Sequence, residues 1–144
     1  MTEAVRNLQE EGRHAFGLFM RDGDHRVLIL RNLEALASIE GASSATRELD
    51  VTILHSLILE PLMGITPERL QTETNIEYVH DFPHNIAEAS ERVRSGACQA
   101  LFLLNATRVA EVRAVAEKRE RMPQKSTFFY PKMYSGLVFY RMDE

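Results

Sequence analysis

The sequence predicts an α+β domain: a mixed β-sheet with an N-terminal hairpin, a β-α-β-α-β C-terminal half, and helices packed on the sheet. Three observations carry this expectation. An Asp-Gly pair separates two apolar runs near the N-terminus, one long apolar stretch is helical in character, and from residue 75 short apolar runs alternate with helix-like periodicity. Strand-helix alternation implies crossover connections and at least partly parallel pairing. With 144 residues, 44% of them hydrophobic and 26% charged, the chain reads as a single domain over 1–144, able to bury a core without staples.

Thr2–Glu11 is a short polar helix that ends at Gly12. Ala15–Arg21 and Arg26–Arg31 flank Asp22-Gly23-Asp24-His25, and the glycine accepts the positive φ of a tight hairpin turn. Leu33–Glu40 forms a helical turn or two, and Gly41–Thr46 reads as a loop. Asp50 is the expected N-cap of a helix reaching about Met63. Its apolar positions go nearly all the way round, as in a buried helix, and Pro61 is expected to kink or end it. Pro67–Thr72 is one further helical turn.

Ile76–His80 is then a short strand, and Asn85 with Glu88 opens a helix that Gly96 stops. Cys98–Leu104 is apolar apart from Gln99, which suits a central strand covered on both faces. Thr107 caps a last helix carrying Val109, Val112 and Ala116. The strand pair Thr127–Tyr130 and Leu137–Arg141 closes the chain.

A formal charge of -4 gives no reason to expect duplex nucleic acid as a partner, because phosphate neutralisation needs a basic face. The one cysteine, Cys98, excludes an internal disulfide and reads as a small buried hydrophobe. No signal-peptide core opens the chain and neither long apolar stretch is pure enough to span a bilayer, so a cytoplasmic location and no membrane partner are expected.

The segment Met122–Gly136, MPQKSTFFYPKMYSG, combines aromatics that favour a strand with prolines that forbid an uninterrupted one. Lys125, Ser126, Thr127, Tyr130 and Lys132 are therefore the candidate ligand-binding residues. An ammonium and hydroxyls are donors for a phosphate or carboxylate, and Ser126, Tyr130 and Lys132 share one side of an extended chain. The plain structural alternative is that these residues fix a bend between two strands. No glycine-rich loop precedes the lysine, which excludes a P-loop.

His80-Asp81-Phe82-Pro83-His84 has metal-binding residue types, but Pro83 keeps the histidines off one helix face and no third ligand is near, so a polar loop is expected and no metal site. His55 reads as a core or interface histidine. Asp22 and Asp24 are turn residues, since the remaining ligands of a calcium loop are absent. Asn105, Thr107 and Arg108 come just after the best candidate central strand, the end at which ligands gather in open α/β sheets; helix capping by Thr107 is the simpler reading. No nucleophile, base and orienting group can be named together, so catalytic residues and cofactors are unassigned and catalysis by this chain alone is not expected.

Leu49–Ile65 (LDVTILHSLILEPLMGI), Asn75–Asp81 (NIEYVHD), Ala100–Thr107 (ALFLLNAT) and Met122–Tyr140 (MPQKSTFFYPKMYSGLVFY) occur in an order that resembles the C-terminal part of a prokaryotic family, domain of unknown function 1015. The resemblance runs from about Gly12 onward. Members of that family are longer and carry an N-terminal portion with an ADGHHR-type motif that this chain lacks. Some are labelled as similar to ParB-type partitioning proteins. The resemblance thus implies a nucleotide-related activity, with any catalytic residues in a separate N-terminal half.

The sequence supports two functional expectations. One is a binding or regulatory module for a small anionic ligand, a nucleotide or phosphorylated metabolite, which would complete a site with a protein partner carrying the N-terminal half. The other is a structural or protein-interaction domain without a ligand, or a truncated non-catalytic fragment of a longer enzyme.

Overall fold

α1 (Thr2–Glu10) ends where expected: Gly12 takes φ +75, while its N–H and that of Arg13 close onto the carbonyls of Gln9 and Leu8. The computed structural model describes residues 1–72, 75–80, 82 and 84–130. The Asp-Gly hairpin forms as the sequence predicts, with β1 (Ala15–Met20) antiparallel to β2 (His25–Ile29). Gly23, at φ +82, donates to the Met20 carbonyl. Asp22 accepts from the Asp24 N–H, and Arg26 bridges both carboxylates. These aspartates are turn residues.

A 3-10 helix (Leu33–Ser38) and α2 (Ser44–Arg47) come next, so the predicted loop at 41–46 contains a helical turn. The long apolar helix is present as α3 (Asp50–Leu54), a π-helical turn (His55–Leu59) and α4 (Glu60–Met63). Pro61 does not end it. The turn ahead of the proline widens, the Glu60 N–H reaching the His55 carbonyl, which makes room for a ring that would clash with the preceding turn. Gly64 at φ +67 stops the helix, and the Ile65 N–H folds back onto Leu59. Asp50 is the first helical residue and not the N-cap; its carboxylate bonds to His14 instead. α5 (Pro67–Gln71) forms as predicted.

α6 (Asn85–Arg94), β3 (Ala100–Leu103) and α7 (Val109–Glu117) complete the described elements. His84, rather than Asn85, stands at the N-cap of α6, and Gly96 at φ +84 follows its end.

Among the described residues the sheet is three-stranded, of order β2-β1-β3, and antiparallel throughout rather than mixed. Among these strands β3 lies at an edge, with Gly17 opposite Leu103, and β1 is central. Residues 76–80 and 127–130 belong to no strand. Both edges of β1 are already occupied, and 76–80 lies against α6 through Glu77 and Arg92. The predicted strand Leu137–Arg141 lies outside the described residues.

Strand alternation divides the side chains between two faces. On one face Phe16 packs with Ile53, Leu54, Leu59, Leu36, Ile39 and Ile65. On the other, Gly17 lies under the Met1 side chain, and the Arg94 guanidinium sits 5.3 Å from the Phe19 ring centre. A Cβ at Gly17 would stand 3.2 Å from Leu103 Cβ and from Met1. Gly17→Val is therefore expected to lower stability by roughly 1–3 kcal/mol through overpacking, read from a urea melt.

A second, smaller core joins Leu49 and Val51 to Val115. Val115, and not the exposed Val109 or Ala116, faces inward on α7. Beyond that helix Arg119 takes φ +57, and the Glu120 N–H closes onto the Val115 carbonyl. The Glu120 carboxylate then accepts from the Ser43 N–H and hydroxyl and the Thr46 hydroxyl, capping α2 from across the fold. These bonds hold its acid below the usual carboxylate range.

Candidate functional site

Two segments distant in sequence meet at the surface beside the start of α6. In the first, Asn75 (φ +65) turns the chain into the extended run 76–80. Ile76 packs against the larger core, while Glu77 faces outward and receives both terminal nitrogens of Arg92 at 2.8 and 2.7 Å. Arg92 holds the Glu77 carboxyl below its ordinary range, and Glu77 in turn raises the guanidinium. The turn into α6 is tightly tied. The Phe82 N–H and the Asn85 side-chain amide both donate to the His80 carbonyl, and the Asn85 N–H donates to Phe82.

The second segment is anchored by Ser126. Its N–H and hydroxyl both donate to the Pro123 carbonyl, the hydroxyl at 2.6 Å, while its own carbonyl accepts from the Thr107 hydroxyl at 2.7 Å. Lys125 sits on this turn in the left-handed region, at φ +59. Thr107 is therefore a tether for the 123–126 turn, and Arg108 stands at the α7 N-cap in place of the predicted Thr107, its N–H donating to Glu111. Asn105 likewise donates to the Val5 carbonyl.

Together these tethers present four rings. Phe128 stacks on His80 with centres 3.9 Å apart. Phe82 meets Phe128 and Tyr130 edge-on, at 6.3 and 6.0 Å. Such offset and edge-to-face arrangements suit the ring quadrupoles, and they leave outer faces open to solvent: Phe82 is 36% exposed, Phe128 43% and Tyr130 74%. A cleft of about 220 Å³ begins at His80 and runs past Asn85 and Glu88 to the Glu77–Arg92 pair.

Of the five predicted ligand-contacting residues, Tyr130 joins the ring cluster, Ser126 is an anchor of the turn, and Lys125 is exposed on that turn. Thr127 is half-buried between them, and Lys132 lies outside the described residues. Sequence reasoning missed His80, Phe82 and Phe128 as partners. Their signal was aromatic content beside prolines in both segments, which nothing local could pair.

Elsewhere, Cys98 is free and half-buried rather than buried, and His55 lies half-buried in the π turn, its imidazole pushed down by burial. Among the described residues no cluster of three His, Cys, Asp or Glu side chains could hold a metal ion, and no helix is long and apolar enough to cross a membrane. His14 pairs with Asp50, but no hydroxyl or thiol among the described residues bonds to that imidazole. No family model, curated protein or solved structure matches the chain.

Proposed function

We propose that this protein is a binding module, not catalytic on its own, for a small ligand carrying a flat ring and an anionic group: a nucleotide or an aromatic phosphorylated metabolite. The observation that carries this reading is the exposed cluster of His80, Phe82, Phe128 and Tyr130, pinned by the Asn85 and Thr107 side chains, which donate to backbone carbonyls in the two contributing segments. Contiguous exposed apolar surface is the usual mark of a binding site. An open aromatic face also supplies roughly 1–3 kcal/mol for each base stacked on it.

Lys125, on the same turn, is the cation for the anionic group. The cleft beyond His80 suits the intervening sugar. Its two carboxylates, Glu77 and Glu88, outnumber Arg92, so it favours hydroxyl donors over a phosphate. The resemblance to the longer prokaryotic family extends the same reading to a protein partner that supplies an N-terminal half.

Three variants test it against a nucleotide panel. Phe128→Ala and Tyr130→Ala each weaken binding by roughly tenfold or more, as loss of a stacking face requires. Lys125→Gly removes the ammonium from a backbone conformation that glycine accepts without strain. It weakens nucleotides while leaving the corresponding nucleosides unchanged. Nucleotide affinity indifferent to all three substitutions would refute the site.

A further inference from the structure

The cleft beside the ring cluster has two walls. The extended run Glu77–His80 forms one, and a single stripe of α6 (Asn85, Glu88, Ala89 and Arg92) forms the other, because residues three and four apart share a helix face. Arg92 follows Glu88 by four positions, the spacing at which helical ion pairs form. It turns to Glu77 instead, giving that carboxylate both terminal nitrogens at 2.8 and 2.7 Å. Asn85 donates its side-chain amide to the His80 carbonyl at 2.9 Å, which leaves its amide oxygen as an acceptor. Glu88 is exposed, and among the described residues no hydrogen bond or ion pair engages its carboxylate. Both of these remaining groups accept, so they call for a ligand that donates.

We propose, on the reading that the ring cluster holds the base, that the Glu88 carboxylate selects ribonucleotides by accepting hydrogen bonds from both hydroxyls of the ribose cis-diol. His80 belongs to the ring cluster and to the cleft alike, so a base stacked on the rings leads its sugar to the α6 wall. A carboxylate offers two acceptor oxygens side by side, which matches two neighbouring hydroxyls on one face of a sugar. Acidic residues take ribose hydroxyls in the same way in dinucleotide-binding sites.

Charge sets the direction of the nucleotide. A phosphate in the cleft would face both Glu77 and Glu88, with Arg92 alone in opposition and already paired. The phosphate end therefore lies outside the cleft and the hydroxyl edge of the sugar inside it. A 2′-deoxyribose leaves one oxygen of Glu88 without its donor, and an arabinose turns the 2′-hydroxyl to the opposite face of the ring.

Calorimetric titration with ribonucleoside mono- and triphosphates, their 2′-deoxy analogues and their arabino epimers tests the assignment. The wild type is expected to bind the ribo form roughly tenfold or more tightly than either counterpart, as loss of a hydrogen bond to a charged acceptor requires. Glu88→Ala keeps a good helix former at an exposed helical position, so the melt is retained, while the ribo form falls to the level of the other two. Phe128→Ala weakens all three sugars alike, which separates the role of Glu88 from that of the rings. Equal binding of ribo and deoxy forms, both still weakened by Phe128→Ala, would overturn the role of Glu88 and leave the ring platform standing. A ribo preference that survives Glu88→Ala would overturn it as well. A wild type that binds no nucleotide would refute the platform and this selection together.

Discussion

Phe16→Ala is expected to lower the unfolding free energy by about 3–5 kcal/mol, the cost of truncating a fully packed phenylalanine. Phe16 is 2% exposed and stands on the central strand opposite Leu28, where the sheet meets Ile53, Leu54 and Leu59 of the long helix. From the central strand its ring joins sheet to helix, and the π turn offers little give because Pro61 fixes the backbone just beyond it. A chemical melt should show the loss directly, with the thermal midpoint falling by roughly 10 °C or more. A shift below about 1 kcal/mol would mean that the helix does not rest on this face of the sheet.

The second large effect concerns His14 and Asp50, which join the start of β1 to the start of α3 at 2.8 Å, with side-chain exposures of 20% and 14%. The Asp50 hydrogen bond raises the His14 pKa, burial opposes it, and the charges of Asp50, Glu48 and Glu111 add to the rise. A histidine raised on folding contributes its full stability below the unfolded value, about 6.5, and loses it as the pH climbs through the higher folded value. Asp50→Asn should therefore cost about 1–2 kcal/mol near pH 6, the lower part of the range for charge-assisted bonds because the rim is wet. The gap to wild type should narrow near pH 9. His55 acts in the opposite sense: burial lowers its pKa, so its contribution is present above the unfolded value and fades as the pH falls. Only the difference between wild type and Asp50→Asn isolates His14. A gap that grows with pH would contradict the pairing.

What was legible in the sequence was local. The Asp22-Gly23 turn, the stop at Gly12 and the apolar helix from Asp50 each depend on neighbours along the chain, and each is present. Pro61 does disturb the helix but does not end it, because one widened turn ahead of the proline accommodates its ring. The run at β3 is equally apolar whether a strand is central or at an edge, so its place and its antiparallel direction had to come from the structure. Residues 76–80 alternate inward Ile76 with outward Glu77, a pattern shared by a strand and by an extended segment lying on a helix. At the site, the segment containing Lys125 and Tyr130 was recognisable from its composition. The rings of His80 and Phe82 were not, since only the tethers through Asn85 and Thr107 bring them to Phe128. Glu120 capping α2 is hidden for the same reason.

The most direct test of the binding reading is a thermal melt of the purified chain with a panel of nucleosides, nucleotides and non-aromatic sugar phosphates. A ligand near one hundred times its dissociation constant adds about 2.7 kcal/mol, a rise of several degrees in a domain of this size. The ring cluster and Lys125 together predict that nucleotides raise the midpoint most, and that nucleosides and sugar phosphates, each holding half of the determinants, raise it less. A midpoint that no nucleotide moves, or that sugar phosphates move as far as nucleotides do, would contradict the aromatic platform as the site.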